Sequence, residues 1–244
     1  VRPDINDCFS DFRSNNDNFY YALGAVKNVG YEAVSNIVEE RNKNGKFKSI
    51  NDFIKRVNPK NINKLQLEGL VKAGAFDTLN NNRQSLFVSI PNLITKSKNI
   101  FDNNIVNQID LFEKDELKDT DIITPSEDWD FEERLSKEFE AVGFFISDHP
   151  LNQFKDTFND YSIMDYNMFN KDINLEETNI AATLLKIQEK KTQKGNSYAI
   201  LKLTDLSSVF ELFIFSDIFE FNRDKLIEGN SLMITLMKNY SDEL

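Results

Sequence analysis

Apolar residues recur at helical spacing through the first part of the chain. Five segments show this pattern, and each is predicted to be a helix because its apolar positions fall on one face. Glycine or an Asn-Pro pair follows several of them, as is common at helix ends. The patterns start at Gly30, Ser49, Leu65, Gln84 and Phe131.

The last quarter of the chain alternates apolar and polar residues instead. Residues 180–187, 198–203, 209–215 and 231–237 are therefore predicted strands, with a short helix over 218–227 between the third and the fourth. This order matches the first four of the five strands of an OB-fold, a small antiparallel barrel. The sequence predicts a multidomain chain in which a helical module precedes a truncated OB-fold β-barrel.

Three stretches show neither pattern. Residues 1–18 are predicted to be an extended or looped lead-in, and residues 99–107 are polar and poorly patterned. Residues 113–130 are acidic and rich in turn residues, which is typical of an exposed linker. Pro91 predicts a kink or a new start in the helix that begins at Gln84.

The net charge of −11 conceals an uneven distribution. Residues 27–98 carry 13 basic and 6 acidic residues, whereas residues 108–178 carry 6 basic and 20 acidic ones. Residues 179–244 are close to neutral, with 8 basic and 9 acidic residues. The average argues against a uniformly basic nucleic-acid coat, but a basic module that attracts phosphate can lie beside an acidic one that repels it.

The single cysteine, Cys8, and the single histidine, His149, exclude several kinds of site. The chain can form neither an internal disulfide nor an all-protein Cys/His zinc site. A Ser-His-Asp or Cys-His centre could use only His149, for which loop capping is the more ordinary role. No apolar run reaches the roughly 18 residues of a membrane span, and the first residues do not have the pattern expected of an apolar signal segment. We therefore expect a cytoplasmic fragment of a larger protein, with no membrane partner.

The stretch ALGAVKNVGYEA has the chemistry of a helix-hairpin-helix element. Gly30 permits the tight turn, Val29 is an apolar plug, and the N–H groups at the start of the second helix face a phosphate. Lys27 adds a charge, and Asn28 tolerates the left-handed backbone for which this motif usually has glycine. Such a hairpin binds duplex DNA without reading its bases. An ordinary αα-corner is the alternative, and a poorer second hairpin at 67–75 is better explained as a plain capped helix.

The pentapeptide QIDLF lies between a polar and an acidic stretch. It matches the motif by which bacterial replication proteins bind the sliding clamp, the beta subunit. In that mode Leu111 and Phe112 fill an apolar cleft and Gln108 hydrogen-bonds beside it, while Ile109 and Asp110 occupy the variable positions. A short amphipathic helix is the alternative, because the apolar residues also stand at helical spacing.

The predicted β module carries candidate contacts for single-stranded nucleic acid. Lys190, Lys191 and Lys194 lie in the predicted first loop between strands. Tyr198 and Lys202 alternate with core positions on the second strand and so face outward, where a ring can stack on a base and a cation can meet a phosphate. A barrel used only for packing is the alternative, and the third strand shows no clear binding face.

Taken together, these motifs resemble the C-terminal part of the alpha subunit of bacterial DNA polymerase III, a C-family replicative polymerase. The resemblance covers essentially the whole chain, and Cys8 and Asn28 depart from it, since the family usually has Ser and Gly there. Its further motifs are PDIN (3–6), GAVKNVG (24–30), LE (67–68), AGAFD (73–77), Glu138 with Glu140, GF (143–144), SDHPL (147–151) and TQKG (192–195).

The resemblance implies a division of the chain into functional regions. These are the end of a fingers region (1–18), a helix-hairpin-helix module (19–98), the clamp motif with an acidic linker (99–130), an acidic helical connector (131–176) and the OB-fold (177–244). It implies that Lys27 to Gly30 touch duplex DNA, that QIDLF tethers the polymerase to the clamp, and that the β module lies near single-stranded template. Other subunits of the polymerase III holoenzyme are further implied partners.

The resemblance also implies that the catalysis belongs to the parent, a DNA-directed DNA polymerase. The carboxylates that hold two Mg²⁺ ions lie in a palm upstream of this segment, so the segment itself is expected to hold no catalytic residue, metal or cofactor. Glu138 and Glu140 are interpreted as a solvated helix face. Two alternatives stay open: a non-enzymatic repair or single-strand-binding adaptor, and a translesion-type paralogue of the same family.

Overall fold

The computed structural model describes residues 1–15, 17–105, 122–192, 195 and 197–238, and the chain divides into two units. The first unit is Val1–Ser147 and the second unit is Asp148–Leu244. These two units are defined by packing within the structure. The five functional regions implied by the resemblance stay predictions. Over the described ranges, no helix is long and apolar enough to cross a membrane.

The first unit contains every helix that the periodicity predicts before residue 147. Its elements are β1 (Arg13–Ser14), β2 (Phe19–Tyr20), a 3-10 turn (Leu23–Ala25), α1 (Tyr31–Asn44), α2 (Ile50–Arg56), α3 (Lys64–Lys72), α4 (Arg83–Ile105) and α5 (Phe131–Val142). Side chains cap several of these helices at their N-termini. The Ser49 hydroxyl accepts from the N–H of Asp52 at 3.1 Å, and Asn63 and Gln66 form a reciprocal capping box on α3. Each cap satisfies an amide that has no partner within its helix.

The lead-in before the first helix belongs to the core of the first unit. Ile5 and Cys8 are fully buried, together with Val34 and Ile37 of α1 and Leu70 of α3. The prediction of an extended or looped lead-in over 1–18 is therefore incomplete. Two apolar residues in an aperiodic stretch show no pattern that reveals their burial.

Helix α4 runs without interruption past Pro91, so the helix does not restart there. Ile90 and Leu93 are buried on either side of the proline. Proline removes one backbone hydrogen bond within a helix, and packing of the apolar face offsets that loss here. The helix continues to Ile105, so most of the polar stretch 99–107 is helical too.

The end of the predicted exposed linker packs against α4. Ile122 and Trp129 are buried, and the N–H of Thr124 donates to the Ser89 hydroxyl at 2.7 Å. The Ser85 hydroxyl accepts from the N–H of Ser126 at 2.9 Å. Residues 122–130 are thus part of the first unit, because a few apolar and small polar side chains anchor a segment whose composition is mostly acidic.

The interpretation of Glu138 and Glu140 as a solvated face of α5 is wrong for Glu138, which is buried. Its side chain is 1% exposed, whereas the side chain of Glu140 is 59% exposed. Glu138 Oε1 accepts from Arg83 Nη1 at 3.3 Å, and Oε2 accepts from the N–H groups of Ile146 and Ser147, each at 2.8 Å. Burial of this carboxylate is tolerated because a cation and two amides satisfy it.

The second unit is a curled antiparallel sheet with short helices. Its elements are a 3-10 helix (Pro150–Thr157), α6 (Tyr166–Lys171), β3 (Glu177–Lys191), β4 (Ser197–Thr204), β5 (Val209–Ile214), α7 (Ser216–Asn222) and β6 (Ser231–Met237). The strand order is β5-β4-β3-β6. All four predicted strands and the helix between the last two are confirmed. The sheet forms half of an OB-like barrel.

An irregularity in β3 explains the curl of this sheet. The register with β4 shifts between Leu184 and Lys186, which places a bulge at Leu185. The first part of β3 pairs with β6 and the rest with β4, and a bulge increases local bending and twist. The buried side chains gather on one side of the curl. They are Ile180, Ala182, Leu184, Ala199, Leu201, Leu203, Phe210 and Phe219.

His149 has the capping role that the sequence favours. Its Nδ1 accepts from the N–H of Leu151 at 3.1 Å, at the start of the 3-10 helix. Burial lowers the pKa of this imidazole, and the carboxylates of Asp205 and Asp148 oppose that shift. The neutral ring can therefore act as the acceptor at neutral pH.

Candidate nucleic-acid interface

The predicted hairpin forms a tight turn between the 3-10 turn and α1. Asn28 and Gly30 both have positive φ, 66° and 76°, and Val29 between them is 0% exposed. An L-residue other than Asn or Asp adopts this backbone at a cost, so Asn28 preserves the turn where a glycine is usual. The apolar plug and the left-handed turn are both confirmed.

The exposed side of this turn carries the ammonium group of Lys27 and the free backbone N–H groups at the start of α1. Lys27, Asn28 and Gly30 are exposed. Gly30 is the N-cap of α1 and supplies no side-chain acceptor, so the first-turn N–H groups have no cap. Such a helix start attracts a phosphate, although the Glu32 carboxylate in the same turn acts against it.

The backbone of Lys27 is used inside the protein. Its N–H donates to the carbonyl oxygen of Ala141 at 2.8 Å, at the end of α5. The ammonium group of Lys27 is therefore its available contact, and the N–H groups of α1 are the backbone donors. This hydrogen bond also fixes the position of the hairpin within the first unit.

Two residues of α3 hold the hairpin, and the sequence reading missed both. Gln66 Nε2 donates to the carbonyl oxygen of Val29 at 2.7 Å. A Cβ on Gly69 would lie 2.9 Å from the Lys27 carbonyl oxygen and 3.1 Å from Val29 Cγ2, so only glycine permits this approach. A glycine inside a helix costs about 1 kcal/mol of stability relative to alanine. Gly69 within a helical pattern was therefore the one sign in the sequence that another part of the chain approaches α3 closely there.

At the predicted second hairpin, residues 67–75, a side chain of the protein itself occupies the space beside the turn. Helix α3 ends before Gly74, whose φ is 77°. The Arg83 guanidinium lies against Gly74 and pairs with Asp77 at 2.7 Å. This arrangement agrees with a capped helix.

In the second unit, two of the three lysines that were predicted to lie in a loop belong to a strand instead. Lys190 and Lys191 belong to the end of β3, where they pair with Tyr198 and Ser197, and not to a loop. Lys194 lies outside the described residues. The sequence-based prediction ended this strand at residue 187, too early, because its exposed end is polar and lacks an alternating pattern.

Tyr198 and Lys202 lie on the outward face of β4, as predicted, while Leu201 and Leu203 are buried. Cross-strand partners share a face, so residues of β3 and β5 join them, including the acidic Glu211 opposite Lys202. Lys186 pairs with Lys202, and Phe213 pairs with Ile200 on the same face. Phe213 is 63% exposed. The third strand, which the sequence left unassigned, thus contributes an exposed ring to a face rich in lysine.

The clamp motif, Gln108 to Phe112, lies outside the described residues and stays a prediction. The described residues next to it are Ile105 at the end of α4 and Ile122. Within the described parts of the chain, no group of three or more His, Cys, Asp or Glu residues could hold a metal ion.

The described chain thus carries a helix-hairpin-helix turn in the first unit and an OB-like half-barrel in the second. A family model described as a helix-hairpin-helix motif matches residues 1–86. The DNA polymerase III subunit alpha of Borreliella burgdorferi is 32% identical over 94% of this chain and 20% of its own length. The corresponding subunit of Rickettsia prowazekii is 36% identical over 91% of this chain and 19% of its own length.

A third relative extends the match over nearly the whole chain. The DNA polymerase III subunit alpha of Caulobacter vibrioides is 28% identical over 98% of this chain and 21% of its own length. The chain belongs to the DNA polymerase III alpha subunit family. It spans about a fifth of the length of the curated relatives it matches.

Proposed function

We propose that this chain positions duplex DNA for a replicative DNA polymerase through the hairpin at Lys27–Gly30. The observation that carries the proposal is the uncapped start of α1 beside an exposed lysine, on a turn fixed by Gln66 and Gly69. Contacts of this kind grip phosphates and give no base readout. A polymerase needs such binding because its product duplex has every possible sequence.

The proposal extends to single-stranded template at the second unit. The outward face around Tyr198, Lys202 and Phe213 combines a half-buried tyrosine and an exposed phenylalanine ring with lysines. Bases stack on aromatic side chains and phosphates meet cations in sequence-tolerant single-strand binding. Lys186 and Lys190 add charge to the same face.

A tether to the sliding clamp completes the proposal. The support is the motif itself, QIDLF, and its position between two described segments of the first unit. The clamp's beta subunit and the other holoenzyme subunits are the proposed partners. Template-directed DNA synthesis is proposed for the parent protein, in the cytoplasm, with Mg²⁺ bound in a palm outside this chain.

Lys27→Ala is expected to weaken duplex binding by about threefold to tenfold at low salt, because one phosphate contact is lost. The slope of log K against log salt should become shallower by about 0.9. Fluorescence anisotropy of a labelled duplex, read between about 50 and 200 mM salt, measures both quantities. Lys43→Ala on α1 is the matched control, since Lys43 is also exposed. Equal slopes for the two variants would contradict the hairpin contact.

Leu111→Ala combined with Phe112→Ala is expected to reduce binding to the purified clamp by more than tenfold. Apolar anchors in a cleft carry about 2 kcal/mol or more each in many interfaces. Surface plasmon resonance with immobilised clamp gives the affinity, and Ile109→Ala combined with Asp110→Ala changes only the variable positions of the motif. Clamp binding that survives the loss of both anchors would remove the tether from the proposal.

A further inference from the structure

A polar cleft lies on the first unit at the opposite end of α1 from the hairpin. It has a volume of about 540 Å³, within the range of roughly 300–1,000 Å³ that is usual for ligand sites. The lead-in, the β1–β2 hairpin and the C-terminal end of α1 form its walls. The side chains that matter are Asp7, Phe9, Arg13, Arg41 and Lys46, and we call it the Arg41 cleft.

Arg41 is a buried cation at the base of this cleft. The residue is 6% exposed, and its Nη1 donates to the carbonyl oxygens of Ile5 at 2.9 Å and Cys8 at 2.8 Å. No carboxylate lies within 4.0 Å of its guanidinium among the described residues. The nearby carboxylates of Asp7 and Asp4 favour the charged guanidinium, but neither pairs with it directly. A buried charge without a directly paired counter-ion is costly.

Arg13 presents a second guanidinium to the same space. Its Cζ lies 4.2 Å from the centroid of the Phe9 ring, and that of Arg41 lies 5.3 Å from it. Cation–π contact holds both groups without using their positive charge in an ion pair. Within the described chain, Arg13 also has no carboxylate within 4.0 Å.

Two carboxylates, Asp7 and the buried Asp4, lie near these cations, fewer than the three positive groups. Asp7 Oδ1 accepts from Lys46 Nζ at 2.5 Å, and this ion pair is exposed. The cleft therefore keeps an excess of positive charge at Arg13 and Arg41, with Lys46 at its rim. The Phe9 ring is already in contact with the two guanidiniums and, edge-on, with Tyr20. Because these contacts already cover the ring, the cleft suits an anion better than a base stacked on Phe9.

We propose that the Arg41 cleft binds a phosphate group. Two arginine forks and a lysine match the oxygens of a phosphate, which accepts several charge-assisted hydrogen bonds. Arg41 lies ten residues along α1 from Tyr31, which places it about 15 Å along the helix axis from the hairpin. The open shape of the cleft and its place on a DNA-binding unit favour the phosphate of a DNA strand. This choice of source rests on the proposed function, whereas the phosphate chemistry does not.

The test compares Arg13→Gln combined with Lys46→Gln against Lys43→Gln combined with Lys60→Gln, in the full chain. Both pairs remove two exposed positive charges, but Lys43 and Lys60 lie outside the cleft. The probes are a labelled single-stranded 20-mer read by anisotropy, and dTTP and inorganic pyrophosphate read by ³¹P NMR. Trp129 fluorescence confirms that each variant keeps the fold of the first unit, since this residue is buried there.

We expect the cleft variant to bind the strand about fivefold more weakly than the control variant. Its salt slope should be shallower by about 1.4, or about 0.7 for each of two contacts. Loss of dTTP or pyrophosphate binding with unchanged strand binding would support a phosphate cleft that takes a free nucleotide. Cleft and control variants that behave alike with all three probes would overturn the proposal. The hairpin assignment would then stand or fall separately, on Lys27→Ala.

Asp7→Asn supplies a test in the opposite direction. It removes the carboxylate that competes for Lys46 and keeps the shape of the side chain, so phosphate binding should tighten by about twofold. A structural role for the cleft alone would produce no such gain. Weaker or equal binding of all three probes to Asp7→Asn would count against the proposal.

Discussion

Glu138→Ala is expected to lower the free energy of unfolding of the first unit by about 3–5 kcal/mol, because it breaks a buried ion pair from one side. The side chain of Arg83 is 5% exposed, and it would keep Asp77 but lose Glu138. The N–H groups of Ile146 and Ser147 would also lose their acceptor. A buried amide without a partner costs about 1–3 kcal/mol.

Chemical denaturation followed by Trp129 fluorescence measures this effect. The chain has one tryptophan, which is buried beside Phe87 in the first unit, so the signal reports that unit. Glu140→Ala is the matched control two residues away, where an exposed pair with Lys72 should contribute no more than about 1 kcal/mol. Equal losses in the two variants would show that Glu138 does not have the role described here.

The strands of the second unit were predictable because their alternation is local. Leu201 and Leu203 are buried while Lys202 is exposed, so the sequence itself shows the two faces of β4. The bulge at Leu185 and the pairing of Phe213 with Ile200 were not predictable in the same way. Both depend on the register between strands, which one strand's pattern cannot specify.

The turn of the hairpin was also predictable, since a left-handed backbone favours Gly, Asn and Asp. Gly30 and Asn28 carry that signal in their own chemistry. The burial of Glu138 was not predictable, because its partner Arg83 stands 55 residues away. The Arg41 cleft is hidden for the same reason: Arg13 and Arg41 meet only through folding around Phe9.

Helix α3 and the hairpin meet at Gly69, and this contact leads to the second large expected effect. Gly69→Ala is expected to destabilise the first unit by about 1–3 kcal/mol, although alanine is the better helix former by about 1 kcal/mol. The new Cβ would lie 2.9 Å from the Lys27 carbonyl oxygen, a backbone atom that cannot rotate away. The hairpin must therefore shift, and Val29, 3.1 Å from the new Cβ, must shift with it.

The same movement should weaken duplex binding by about tenfold, because it displaces both Lys27 and the start of α1. Denaturation followed by Trp129 fluorescence and anisotropy with labelled duplex give the two quantities. Gln66→Ala separates the causes, since it removes the hydrogen bond to Val29 without adding an atom, and should cost about 0.5–1.5 kcal/mol. If Gly69→Ala instead stabilises the chain and leaves duplex affinity unchanged, then α3 does not hold the hairpin in its DNA-binding position. A stable variant with weakened duplex binding would show that the position of the turn matters for binding independently of the stability of the unit.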